Sequence, residues 1–280
     1  MFIFVADFFA KDLLGGAELT TEAILDKATD KVTKVRSTEL TLDFVKSNKD
    51  AKWIFGNFLG VSNVIPDYFM DNNLNYSIIE YDYKYCDIRM PEACKQYKGK
   101  CCESTALGQL IERFFLGAKD LWYMSKQQKD WYESTFPKLK KDNSYVLSSM
   151  FDDATLDKMS KLDTSNKEDV FLIQDHQHPL KGTEVAVKVA EENNLNYFKF
   201  SNLSHDQLLE KFAKSRGLIF TPTQFDTCPR VTIEAKMLEC ELILSDKVQH
   251  ATEDWFNGSK EDVINYMKER LDFFWTTVSK

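Results

Sequence analysis

Apolar runs alternate with stretches of helical period along most of the chain. "MFIFVADF" reads as a first strand and "GGAELTTEAILDKA" as a glycine turn opening a helix, with Leu19, Ala23 and Ile24 on one face. Further strands are predicted at "KVTKVRS", "KWIFGN", "YSIIEYDY", "DLWYMS" and "SYVLSS", with helical segments such as "NVIPDYFMDNN" and "TALGQLIERFFLGAKD" between them. Near-continuous apolar strands separated by amphipathic helices argue for parallel sheets covered by helices, the α/β class.

A polar stretch from Asp152 to Asp169 interrupts this rhythm and reads as a linker. The alternation then restarts with "VFLIQD", "GTEVAVKVAEENN", "NYFKFS", "SHDQLLEKFAKS", "GLIFTP", "RVTIEAKMLE" and "CELILS". A last segment, "SKEDVINYMKERLDFFWTTVSK", places Val263, Met267, Leu271, Phe274 and Trp275 on one helical stripe behind a Ser259 N-cap, and is expected to pack on the body. The predicted division is two Rossmann-like domains, 1–155 and 165–258, and a C-terminal amphipathic helix, 259–280.

With 280 residues and 43% hydrophobic content, the chain is long enough to bury a large core or two smaller ones. Its 36 Lys+Arg against 44 Asp+Glu give a net charge of -8, so no global field draws it to nucleic-acid backbones. No run approaches the ~20 apolar residues of a membrane span, and the N-terminus lacks the basic start and cleavage site of a signal peptide. A cytoplasmic protein without a membrane span is expected.

Two glycine turns carry candidate chemistry. Gly15 and Gly16, in "LLGGAE", lie between the first strand and the first helix, where close backbone approach and a helix N-terminus suit a phosphate; a plain tight turn explains them equally well. In "QDHQHPLKGTEVAV", Lys181 adds a full charge beside the helix start at Gly182 and Thr183, an arrangement suited to a diphosphate. His176 and His178 precede it and read as loop or substrate contacts rather than a metal pair.

The stretch "FDTCPRVTIEA" follows the strand "GLIFTP" and sets Asp226, Pro229, Arg230 and Glu234 in a loop and the helix after it. In order and detail this resembles the donor-binding half of retaining GT-B glycosyltransferases, whose E-x7-E motif it matches in spacing; "LLGGAE" is similar to the family's N-terminal glycine loop and "HPLKG" to its basic turn. The resemblance implies two Rossmann-like lobes facing a cleft, and a hexosyl- or pentosyltransferase working with retention. Its donor would be a UDP-, GDP- or ADP-sugar and its acceptor a glycan, lipid-linked sugar or modified nucleobase, with no further cofactor or metal. It further implies that Glu234 holds the ribose, Asp226 the transferred sugar, Lys181 the diphosphate, and Gly16 with its neighbours the phosphate side of the closed cleft.

Two departures stand out: the motif's first acid is Asp226 rather than Glu, and His176 stands where the family commonly has an arginine. A neutral histidine is a weak phosphate clamp unless its pKa is raised; Arg230 is a candidate to supply the charge, or a surface residue. These departures keep two alternatives in view, a nucleotide-sugar epimerase and a non-catalytic GT-B-like protein that binds a nucleotide or glycan.

"YDYKYCDIRMPEACKQYKGKCCE" interrupts the first half with Cys86, Cys94, Cys101 and Cys102. Four thiols are enough for zinc, but no pair has the usual knuckle spacing and vicinal Cys101 and Cys102 are expected to resist joint ligation, so reduced thiols in a packed loop are favoured. The same stretch mixes Tyr81, Tyr83, Tyr85 and Tyr97 with Lys84, Arg89, Lys95, Lys98 and Lys100, the one local basic surface for a nucleic-acid acceptor; a solvated loop with half-buried tyrosines is the favoured reading. Glu80 and Asp82 are the acids expected near an acceptor hydroxyl.

Overall fold

A computed structural model describes residues 1–280 apart from the side chain of Pro179. The chain runs β1 (Phe2–Ala6), α1 (Gly16–Asp26), β2 (Val32–Arg36), α2 (Leu42–Ser47), β3 (Lys52–Phe55), α3 (Val64–Asp71), β4 (Tyr76–Glu80), α4 (Pro91–Lys98), α5 (Ala106–Gly117), β5 (Asp120–Tyr123), α6 (Lys126–Thr135) and β6 (Ser144–Val146). It continues through α7 (Asp153–Lys161), β7 (Glu168–Gln174), α8 (Thr183–Glu192), β8 (Tyr197–Phe200), α9 (His205–Lys214), β9 (Ser215–Phe220), α10 (Arg230–Met237), β10 (Glu241–Leu244), α11 (Asp254–Asn257) and α12 (Lys260–Val278). Each strand predicted from an apolar run is present.

Two compact units result, Met1–Met150 with Arg270–Lys280, and Phe151–Glu269. The first holds a parallel sheet in the order β2-β1-β3-β4-β5-β6. Its central strands are buried on both faces, β1 and β4 along their whole length, which is why they read as unbroken apolar runs instead of alternating ones. Trp53, Phe55, Phe69, Tyr76 and Phe114 interlock edge to face on one side of the sheet, Phe55 and Phe69 at a centroid distance of 5.1 Å. The end of α12 joins this unit: Trp275 Nε1 donates to the Ile24 carbonyl at 2.8 Å, and Phe274 packs on Trp122.

The second unit holds the order β10-β9-β7-β8, also parallel. Phe171, Ile173 and Ile219 of β7 and β9 pack on Ala186 and Ala190 of α8, whose small side chains let helix and sheet approach. Lys167 Nζ donates to the carbonyls of Phe212, Ser215 and Leu238, satisfying the C-terminal ends of α9 and α10 with one cation.

The structure differs from the sequence reading in the polar stretch after Asp152. It holds the helix α7, capped by the Asp152 carboxylate on Thr155 N at 2.8 Å and anchored by buried Leu156 and Met159, one turn apart. Two apolar residues suffice because the other face is solvated. Ser259 caps α12 as expected, its hydroxyl accepting from Asp262 N at 3.2 Å, and Val263, Met267, Leu271 and Phe274 are buried.

Candidate functional site

In each sheet the chain reverses its direction of strand addition once, after β2 in the first unit and after β8 in the second, so the adjacent strands at the reversal are β1 with β3 and β7 with β9. The loops leaving the carboxyl ends of such a pair diverge to opposite faces and open a crevice, the usual ligand position of open α/β sheets.

In the second unit these loops carry Lys181 and Asp226. Lys181 Nζ lies 2.7 Å from Asp226 Oδ2. The first loop is fixed at its end by Thr183, whose hydroxyl accepts from His176 N at 3.1 Å and donates to the Gln174 carbonyl at 2.8 Å. It is tied to the second loop by Thr223 N donating to the Leu180 carbonyl at 3.0 Å. Gly182, between Lys181 and α8, has φ +73, and a Cβ there would collide with the Thr221 carbonyl oxygen. Glycine is thus required for both the left-handed conformation and the approach of the two loops. Asp226 is pinned through its main chain, its N–H donating to Lys247 O at 2.9 Å and its carbonyl accepting from Gln249 N at 3.0 Å.

Pro229 is the N-cap residue of α10, and Arg230 begins the helix. One turn on, Glu234 is buried, with Oε1 2.9 Å from His205 Nε2 and 3.8 Å from Arg230 Nε. His205 opens α9 behind a Ser204–Gln207 capping box, so it comes from the carboxyl end of β8. Three successive strand-to-helix connections therefore supply Lys181, His205, and Asp226 with Glu234. The sequence reading missed His205; its position at a helix start after a strand, parallel to that of Lys181 after β7, was the available signal.

Arg230 corrects the surface reading. It is 7% exposed, with its guanidinium 3.8 Å from the centroid of the Phe151 ring. Burial lowers its pKa while Glu234 and Asp152 oppose the shift. Arg230 remains a cation, but a buried one turned to Glu234 and Phe151. His176 supplies no clamp: desolvation first, then Lys181 and His178, lower its pKa, and its Nδ1 accepts from His178 N at 3.0 Å. The cation beside Asp226 is Lys181.

In the first unit, Gly15 is the N-cap residue of α1 and Gly16 begins it. The carboxylate of Glu18 folds back to this turn, so closely that a Cβ on Gly15 would strike it. Burial raises the Glu18 pKa, its own backbone N–H opposes, and nearby Asp7 raises it further. The helix start thus already faces a carboxyl group of its own. Asp7, at the carboxyl end of β1, accepts from Leu59 N at 3.1 Å and Gly60 N at 3.2 Å and bonds Ser37 Oγ, joining the two loops at the β1–β3 reversal.

Of the two acids expected near an acceptor, Glu80 is internal and Asp82 is half-buried. Glu80 is buried with Lys84 Nζ at 3.2 Å; burial pushes it up to about 8, against the pull of Lys84. Asp82 pairs with Arg89 at 3.2 Å. Tyr81, Tyr83 and Tyr85 are fully buried rather than half-buried, while Tyr97 is 80% exposed. The basic stretch is partly neutralised within itself, Lys98 lying 2.6 Å from Asp87. The four cysteines Cys86, Cys94, Cys101 and Cys102 are buried and free, and their sulfurs all lie within 4.8 Å of one another.

The sequence matches no family model and no curated protein. Solved structures do match the fold. "Trehalose-6-phosphate from E. coli bound with UDP-2-fluoro glucose" aligns at 10% identity and a TM-score of 0.58 over 99% of this chain and 95% of that one. The catalytic domain of starch synthase IV from Arabidopsis thaliana, bound to ADP and acarbose, aligns at 9% identity and 0.59 over 100% and 95%. HepE from Anabaena, in complex with UDP and glucose, aligns at 12% and 0.54 over 99% and 91%. The fold of this chain is the α/β GT-B fold with a C-terminal helix.

Proposed function

We propose that the protein is a glycosyltransferase that moves a sugar from a nucleotide-diphosphate sugar to a hydroxyl acceptor with retention of anomeric configuration. The observation that carries this reading is the presence of two pairs, Lys181–Asp226 and His205–Glu234, on the connections that follow the adjacent strands β7, β8 and β9 of one sheet. A cation, an acid beside it, and a second acid held by a histidine are the set that a diphosphate, a sugar and a ribose require. The similar structures that hold UDP or ADP with a sugar or its analogue support the same donor class.

In this reading Lys181 binds the diphosphate and stabilises the negative charge that grows on it as the glycosidic bond breaks. Asp226 accepts from hydroxyls of the transferred sugar, and the donor enters by taking over the two halves of the Lys181–Asp226 pair. Glu234, oriented by His205, accepts from the ribose hydroxyls. Transfer on the face from which the diphosphate departs lets that diphosphate take the acceptor proton, so no side-chain nucleophile is required. The shorter Asp226 reaches about one methylene less far than a glutamate and is the residue that would select the sugar.

The test is donor cleavage. The full chain is incubated with UDP-, GDP- and ADP-sugars, and slow release of free nucleotide is followed with the Asp226→Ala chain as control. Release from one donor class that the variant lacks is expected. Release from none of them, with no thermal shift by any donor, would leave a protein that does not use nucleotide sugars.

A further inference from the structure

The connection between β4 and α5 is built differently from the rest of the first unit. It contains α4, whose buried side chains are those of Pro91, Ala93 and Cys94, all small, while Lys95, Tyr97 and Lys98 face outward. The helix α4 therefore has little apolar area with which to hold itself down. Beyond the buried Tyr81, Tyr83 and Tyr85 at its start, what the connection has in the interior is sulfur: Cys86 before α4, Cys94 within it, and Cys101 and Cys102 after it.

Gly99 makes the convergence possible. It ends α4 with φ +72, and the chain turns back so that Cys101 and Cys102 return to Cys94. Cys94 Sγ and Cys102 Sγ are 3.7 Å apart. In a tetrahedral zinc–thiolate centre with bonds of about 2.3 Å, neighbouring sulfurs are about 3.8 Å apart. The four sulfurs, none more than 4.8 Å from another, need only a small contraction to meet this. The sequence objection to vicinal ligands fails because Cys101 and Cys102 lie outside helix and strand, where consecutive side chains need not point to opposite faces.

We propose that Cys86, Cys94, Cys101 and Cys102 bind one zinc ion as a closed structural site. Four protein ligands leave no open position, so the ion crosslinks the loop and does no chemistry. Binding exchanges four thiol protons for the metal. Cys102 Sγ donates to Asp87 Oδ1 at 3.2 Å, a thiol contact that zinc ligation replaces, and Lys98, 2.6 Å from Asp87, offsets the charge of that carboxylate beside the thiolate centre. The site is independent of the donor-binding reading, since it lies wholly in the first unit.

Elemental analysis of the full chain, prepared without an affinity tag under reducing conditions and dialysed against metal-free buffer, tests this. One zinc per chain is expected, together with its release in step with titration of four thiols by an organomercurial. Cobalt exchanged into the protein should give the thiolate charge-transfer band and the intense visible bands of a tetrahedral sulfur centre. The Cys94→Ser/Cys102→Ser chain should lose the metal and the Cys228→Ser/Cys240→Ser chain should keep it. If the first pair fails to fold, the cobalt spectrum of the unsubstituted chain decides alone. No stoichiometric metal, a cobalt spectrum without thiolate bands, or zinc retained in the folded Cys94→Ser/Cys102→Ser chain would each overturn the proposal.

Discussion

Lys181 and Asp226 stand 45 residues apart in the chain, yet their side chains meet at 2.7 Å where the loops after β7 and β9 leave adjacent parallel strands. The pair is half open to solvent, with the lysine side chain 42% exposed, so it contributes only about 0–1 kcal/mol to folding. Gly182 and the Asp226 main chain, not the ion pair, hold the two loops in this geometry.

Lys181→Ala and Asp226→Ala should therefore leave the urea midpoint nearly unchanged and lower donor cleavage by ~10²-fold or more. Asp226→Ala should leave nucleotide affinity nearly intact, whereas Lys181→Ala should weaken it. Calorimetric titration with the nucleoside diphosphate alone separates the two.

Glu234→Ala should act on both folding and binding. It removes the carboxylate beside the buried Arg230 and His205, a loss of about 3 kcal/mol by urea denaturation. Nucleotide affinity should fall, and Glu234→Gln should recover part of the stability because it retains an acceptor for His205. Equal loss of nucleotide affinity in Asp226→Ala and Glu234→Ala would refute the assignment of one acid to the sugar and the other to the ribose.

Gly182→Ala should separate the two loops. Its positive φ and the Thr221 carbonyl leave no room for a methyl group, at a cost of at least ~1 kcal/mol. Donor cleavage should fall with it, because Lys181 is the preceding residue. Thermal unfolding and nucleotide release on one preparation measure both effects.

His250 sets an acid limit for the second unit. It is buried, with Nε2 3.1 Å from Thr232 Oγ1, and burial lowers its pKa from 6.5 to about 3. Above pH 6.5 it is neutral folded or unfolded and its full contribution is present. As pH falls from 6.5 toward 3 the unfolded chain takes up the proton and the folded one does not, so stability drops by about 1.4 kcal/mol per pH unit. Denaturant unfolding across this range should show that slope as the difference between the natural chain and His250→Gln.

The succession of strands and helices was legible in the sequence because the buried strands are apolar runs and most covering helices have a solvated face. Lys181, Gly182 and Asp226 were legible as strand-to-helix junction residues, and Glu234 as a residue of the helix that follows. What the sequence left open depended on contacts between distant segments. The helix α7 has only two apolar anchors and leaves a weak pattern. The burial of Arg230, and the raised pKa that burial gives Glu80, are not revealed by spacing. The Glu18 carboxylate at Gly15 and His205 on Glu234 are side-chain placements that periodicity cannot encode. The four cysteines show the divide most plainly: their spacing argued against a common centre, and the left-handed turn at Gly99 brings their sulfurs together.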